Sequence, residues 1–212
     1  MEKKSLWNEL VILIIASLIL AIAYVYPDID SIKFFLIIFI GFLLAITINI
    51  VVKKIVAYRL EADVTLNIWS LYRFGFAEKR HFKKSLPMLW LPLVLSYISR
   101  GEIVWMPILE SEITPRPERI AKRHELFRFS QMTEWHISLI IFAGIISNLI
   151  LYIILNSFGL NQIGVISLYF ALWSLIPFSK LDGSKLFFGS RKLGIVSTIL
   201  SLIALIWQSG VF

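Results

Sequence analysis

Five apolar runs, each near the roughly 20 residues that cross about 30 Å of hydrocarbon, constrain this chain more than any other feature. They cover residues 8–26, 32–52, 136–158, 162–178 and 193–209, and the last two are short enough to depend on neighbouring helices. A sixth run, residues 86–99, has only 14 residues and contains Pro87 and Pro92, so it reads as re-entrant or interfacial. With 58% apolar residues and a mean hydropathy of +0.80, a soluble globular domain is excluded. The expected fold class is an all-α polytopic membrane protein, residues 1–212 forming one membrane domain. Lys3 and Lys4 ahead of the first run mimic a secretion signal, but Tyr24-Val25-Tyr26-Pro27-Asp28 is too bulky for a cleavage site. The first run is therefore read as a retained helix.

Charge sets the orientation. With five spans and a cytoplasmic N-terminus, the inner side carries Lys3, Lys4, a connector at 53–135 and the 179–192 loop. Of the 21 Lys and Arg, only Lys33 then lies near the outer surface, a strong positive-inside bias. The net charge of +7 is explained by topology and by contact with anionic membrane lipids. Nothing resembles a nucleic-acid-binding motif, and nucleic acid is not an expected partner. Within the connector, residues 60–85 include β-compatible Val64, Thr65, Ile68, Trp69 and Tyr72 and are read as strand or hairpin. Residues 118–129 are read as a short mixed-charge surface helix after the Pro115-Arg116-Pro117 breaker.

The most telling local stretch is Ile176-Pro177-Phe178-Ser179-Lys180-Leu181-Asp182-Gly183-Ser184-Lys185. It puts a carboxylate on a Pro- and Gly-marked turn beside hydrocarbon, where a charge costs about 2.5 to 3.5 kcal/mol at a helix centre. A cation beside Asp182 is expected. The absence of cysteine removes disulfides, thiolate metal sites and Cys nucleophiles. The three His give no i, i+4 ligand pair: His81 lies in the basic run 78–84, His124-Glu125 is followed by Arg128 at the fifth position, and His136 neighbours Trp135 as an interfacial anchor. Gly183-Ser184 reads as turn chemistry, because no base is placed to activate the hydroxyl. No inverted repeat points to a transporter.

The Pro…Leu-Asp-Gly stretch resembles that of the site-2 protease family of intramembrane zinc metalloproteases, archaeal-type members in particular. In that family this Asp is the third metal ligand, after the two His of a His-Glu-x-x-His helix, and Asp182 matches it. Phe142-Ala143-Gly144-Ile145-Ile146-Ser147-Asn148 is similar to the family's Ala-Gly-Pro-x-x-Asn helix, with Ile145 in place of Pro, and Lys54-Ile55-Val56-Ala57-Tyr58-Arg59 to the residues after His-Glu-x-x-His. The resemblance spans roughly residues 35–192 and puts Asn49-Ile50-Val51-Val52-Lys53 at the motif itself. Two imidazoles at i and i+4 with a Glu between them hold zinc and activate its water. Asn49, Ile50 and Lys53 supply neither, and Asp182 is left as a single ligand-like residue.

The resemblance thus implies a degenerate member with no cofactor, and no catalytic residue is assigned. Lys53 is expected either to pair with Asp182 as a built-in cation or to snorkel to the headgroups. Gly144 and Asn148 on the family-motif helix are expected to serve close helix packing and an interhelical hydrogen bond. Three functional readings follow: a pseudoprotease binding membrane-protein segments or partner proteins, a structural subunit of a larger membrane complex, and a metalloprotease with a relocated zinc site. Family members shape substrate approach in the connector, often with an edge strand able to pair with an unwound peptide.

Overall fold

A computed structural model describes residues 6–27, 31–73, 81–116 and 132–210. The surface helix expected at 118–129, and His124 within it, lie outside these residues. Among the described residues four helices are long and apolar enough to cross a membrane. They are α1 (Leu6–Val25), α2 (Ile32–Arg59), α4 (Glu134–Ser157) and α7 (Arg191–Gln208), with the shorter α3 (Leu91–Ile98), α5 (Asn161–Trp173) and α6 (Asp182–Gly189) between and beside them.

Helix α2 begins at Ser31, whose hydroxyl accepts the Phe34 N–H at 3.2 Å, as an N-cap should. Its 28 residues extend about 42 Å, longer than the hydrocarbon thickness. The last turns therefore carry Lys53, Lys54 and Arg59 to a membrane edge. Lys54 pairs there with Glu9 at the start of α1.

The fourth expected span, 162–178, is corrected by the structure. Helix α5 has 13 residues, about 20 Å, and residues 174–181 complete the return path as turns. Pro177 lacks an N–H and biases Ile176 away from helix. Leu175 and Leu181 are buried while Pro177, Phe178, Ser179 and Lys180 are exposed, so the irregular backbone suits a membrane edge rather than lipid-exposed depth.

The all-α expectation is corrected as well, since four strands occupy the connector. β1 (Ala62–Ile68) alternates buried Ala62, Val64 and Leu66 with outward Asp63, Thr65 and Asn67, the period-2 pattern of a half-covered strand. It pairs antiparallel with β4 (Leu109–Pro115), Leu66 opposite Ser111. β2 (Ser70–Arg73) pairs with β3 (His81–Pro87) around a register shift. The strands expected in 60–85 are thus accompanied by β4, which no reading of composition located.

Between β3 and β4 the chain makes an excursion. A 3₁₀ turn (Met88–Trp90) and α3 run along α1, and the Ser96 hydroxyl donates to the Ala23 carbonyl near the far end of that helix at 2.5 Å. Residues 102–108 then return without regular structure. Both ends close on Trp69: its carbonyl accepts the Met88 N–H, and its N–H donates to the Ile108 carbonyl, each at 2.9 Å. At 11 residues Met88–Ile98 is too short to span.

The main core gathers Leu20 from α1, Phe42 and Ile46 from α2, Val64 and Leu66 from β1, and Ile166 and Phe170 from α5. A second cluster joins α4 to α5 and α6 through Ile141, Ile145, Leu168 and Leu186. The sheet is therefore packed against the inner surfaces of α1 and α2, beside the ion-bearing end of α2.

Candidate functional site: a lysine against the turn aspartate

Asn49 and Lys53 are one helical turn apart on α2 and face the protein interior, Lys53 with 2% of its side chain exposed. The Lys53 ammonium lies 2.5 Å from Asp182 Oδ2 and 3.1 Å from Ser111 Oγ. Two of its three N–H bonds thus have acceptors. The Ser111 hydroxyl in turn lies 3.4 Å from the same carboxylate oxygen. Snorkelling, the other course open to Lys53, is not what this geometry contains.

Helix α4 makes room for the lysine. A methyl group on Gly144 would come within 2.5 Å of Lys53 Cε and 2.9 Å of Cγ, so only glycine lets the aliphatic stem cross here. The Asn49 amide donates to the Gly144 carbonyl at 2.9 Å. Asn148, one turn along, is fully buried; its backbone carbonyl accepts from the Ser167 hydroxyl at 2.9 Å, but its side-chain amide, expected to bond between helices, has no hydrogen-bond partner. Ile50 is apolar lining beside the pair.

Asp182 is held by the turn that precedes it. It is the first residue of α6, where helix N–H groups favour a negative charge. Gly183 packs against the backbone of the turn, since a Cβ there would lie 2.5 Å from the Ile176 carbonyl carbon and 2.6 Å from that of Leu175. Trp69 meets Phe178 edge-on at 5.8 Å, and Trp105 meets Trp173 at 5.2 Å. These aromatic contacts brace the turn against the sheet and the returning limb of the excursion.

Three residues of the site were not anticipated. Ser111 accepts from Lys53, Lys185 donates to the Ser111 carbonyl at 2.5 Å, and Glu110 has a buried Oε2 without a hydrogen-bond partner. Burial lowers the Lys185 pKa, opposed by the nearby Asp182 and Glu110 carboxylates. Burial likewise raises the Glu110 pKa, opposed by Lys185 and Lys180. A usable signal existed for two of them. Leu109-Glu110-Ser111-Glu112-Ile113 alternates with period 2, placing Ser111 on the face of Leu109 and Ile113, and Lys185 lies three residues after Asp182 on the same helix.

A cavity of about 30 Å³ adjoins the pair, lined by Asn49, Lys53, Ser111, Ser174 and Asp182 together with apolar side chains such as Met106 and Phe170. That is room for one or two waters. His136 hydrogen-bonds the Thr133 hydroxyl and meets the Trp135 ring, while His81 is a β3 backbone position. Among the described residues no three His, Asp or Glu are grouped to hold a metal ion.

Compared with protein-family models, curated proteins and solved structures, the chain matches none. The residues at Asn49, Ile50, Lys53 and Asp182 do not fit a catalytic zinc. Such a site needs three protein ligands and an open position, whereas here a single carboxylate is already engaged by an ammonium.

Proposed function

We propose that this chain is a site-2-protease-like pseudoprotease: an integral membrane scaffold that binds segments of other membrane proteins without cleaving them. The observation that carries the reading is the Lys53–Asp182 contact at 2.5 Å. An ammonium in contact with the ligand-like Asp182 carboxylate opposes a divalent ion there, and Ile50 supplies no base to deprotonate a water. What remains is a preformed membrane-edge site with a strand beside it. β4 supplies backbone groups for an unwound segment, the mode by which exposed strands take extended peptides. In this reading the N-terminus and the Lys53 end of α2 face the cytoplasm, following the Lys and Arg distribution.

The test has two parts, both on the full chain. Metal content is measured by inductively coupled plasma mass spectrometry after zinc exposure and desalting. A ratio well below one zinc per chain is expected; a ratio near one, lost in Asp182→Ala, overturns the reading. A photoreactive residue replacing Thr114 on β4 is then activated in native membranes. Capture of a full-length membrane protein is expected, whereas truncated products rising with time would mean proteolysis and a relocated active site.

A further inference from the structure

Among the described residues β4 pairs with β1 alone, and that pairing determines which edge of β4 has no strand partner. The Trp69 N–H donates to the Ile108 carbonyl, and the Arg116 N–H to the Glu61 carbonyl, so the ladder bonds involve odd-numbered residues on the β1 side. Alternation in an antiparallel pair then makes Leu66 and Ser111 a pair without mutual backbone hydrogen bonds. The Leu66 N–H indeed points away from β4, 3.4 Å from Glu9 Oε1. By the same alternation the N–H and C=O groups of Leu109, Ser111 and Ile113 face outward from β4.

One of those outward groups is already occupied. Lys185 reaches across from α6 and gives its ammonium to the Ser111 carbonyl at 2.5 Å. That carbonyl is the central acceptor of the open edge, between Leu109 and Ile113. An added strand would bring a backbone N–H to the same oxygen. The two donors compete for one position.

An exit for the displaced ammonium lies alongside. Glu110, next in chain to Ser111, has the unpartnered Oε2, and its charge already acts on Lys185. We propose that the open edge of β4 is a strand-addition site for an extended peptide segment, held closed by Lys185, which the incoming segment displaces toward Glu110. This rests on the segment-binding reading above and adds its regulation. Lysines on exposed edges are a known defence against unwanted pairing. Here the lysine comes from another element, so a rotamer change at Lys185 alone would free the Ser111 carbonyl.

The experiment uses the full chain in detergent and, as probe, a fluorescent alternating Val–Thr peptide. A second probe carries N-methyl groups on alternate amides and cannot donate along one edge. Anisotropy should give binding about tenfold tighter for Lys185→Met than for wild type, equivalent to about 1.4 kcal/mol, and little binding of the methylated probe by either. In parallel, acylation of Lys185 in the wild type, read by mass spectrometry, should rise when the first probe is added. This second readout decides the matter if Lys185→Met does not fold. Equal affinity of both proteins with unchanged acylation overturns the role of Lys185 and leaves segment binding standing. No binding to either protein overturns both.

Discussion

At the scale of single residues, the buried charge is the costly item. Removing one partner of a buried pair leaves the other uncompensated, typically at about 3 to 5 kcal/mol. Lys53→Met and Asp182→Asn should each lower stability in that range, measured by denaturant titration in mixed micelles, and the double variant should lose clearly less than the sum. Additive losses would show that the two groups do not act together. Glu110 gives a pH prediction. Its folded pKa is raised above 4.5, so the protonated side chain favours folding; that stability is complete below pH 4.5 and declines as pH rises through the folded value. Melting temperature of the wild type relative to Glu110→Gln should therefore fall from acid toward neutral pH, and a flat difference would count against the assignment. Lys53, Asp182 and Asn49 were legible because the site-2 protease resemblance singles out their positions, and a Lys and an Asp beside hydrocarbon demand an explanation. For Ser111 alternation offered only a strand face; its contacts with Lys53 and Asp182 were not legible, because they depend on strand register and lie 58 and 71 residues distant in sequence.

Among the elements, long uniform helices were the easiest to read. α1 and α4 follow their apolar runs to within two residues, and α2 starts with its run but continues past residue 52 to Arg59. The run at 162–178 misled because hydropathy registers the depth of a segment but not whether its backbone is helical; Pro177 was the visible sign that it unwinds. β4 escaped notice for a related reason, since its Glu, Ser and Glu suppress the apolar signal that alternation would otherwise carry. The excursion at 88–108 depends on few anchors, and the Ser96 bond to Ala23 is one of them. Ser96→Ala should weaken the protein modestly, by about 0.6 kcal/mol on the average for interhelical bonds in membranes. Hydrogen exchange should accelerate at residues 96–103 and not in β1; a uniform increase would mean that the excursion opens only with the whole fold.

For the whole molecule, the arrangement predicts sidedness without reference to charge. Glu102 follows the tip of the excursion near the far end of α1, whereas Lys180 belongs to the turn beside the Lys53 end of α2. Because the chain contains no cysteine, single variants Glu102→Cys and Lys180→Cys can be labelled without background. A membrane-impermeant maleimide should reach them from opposite faces of sealed vesicles, and labelling from one face would contradict the arrangement. The Lys53–Asp182 contact has a consequence for upkeep. If, as proposed, Lys53 takes the place of a metal beside Asp182, EDTA should leave the protein's melting temperature unchanged. Its assembly would then be independent of metal supply, and it could persist through a shortage that leaves a zinc enzyme empty.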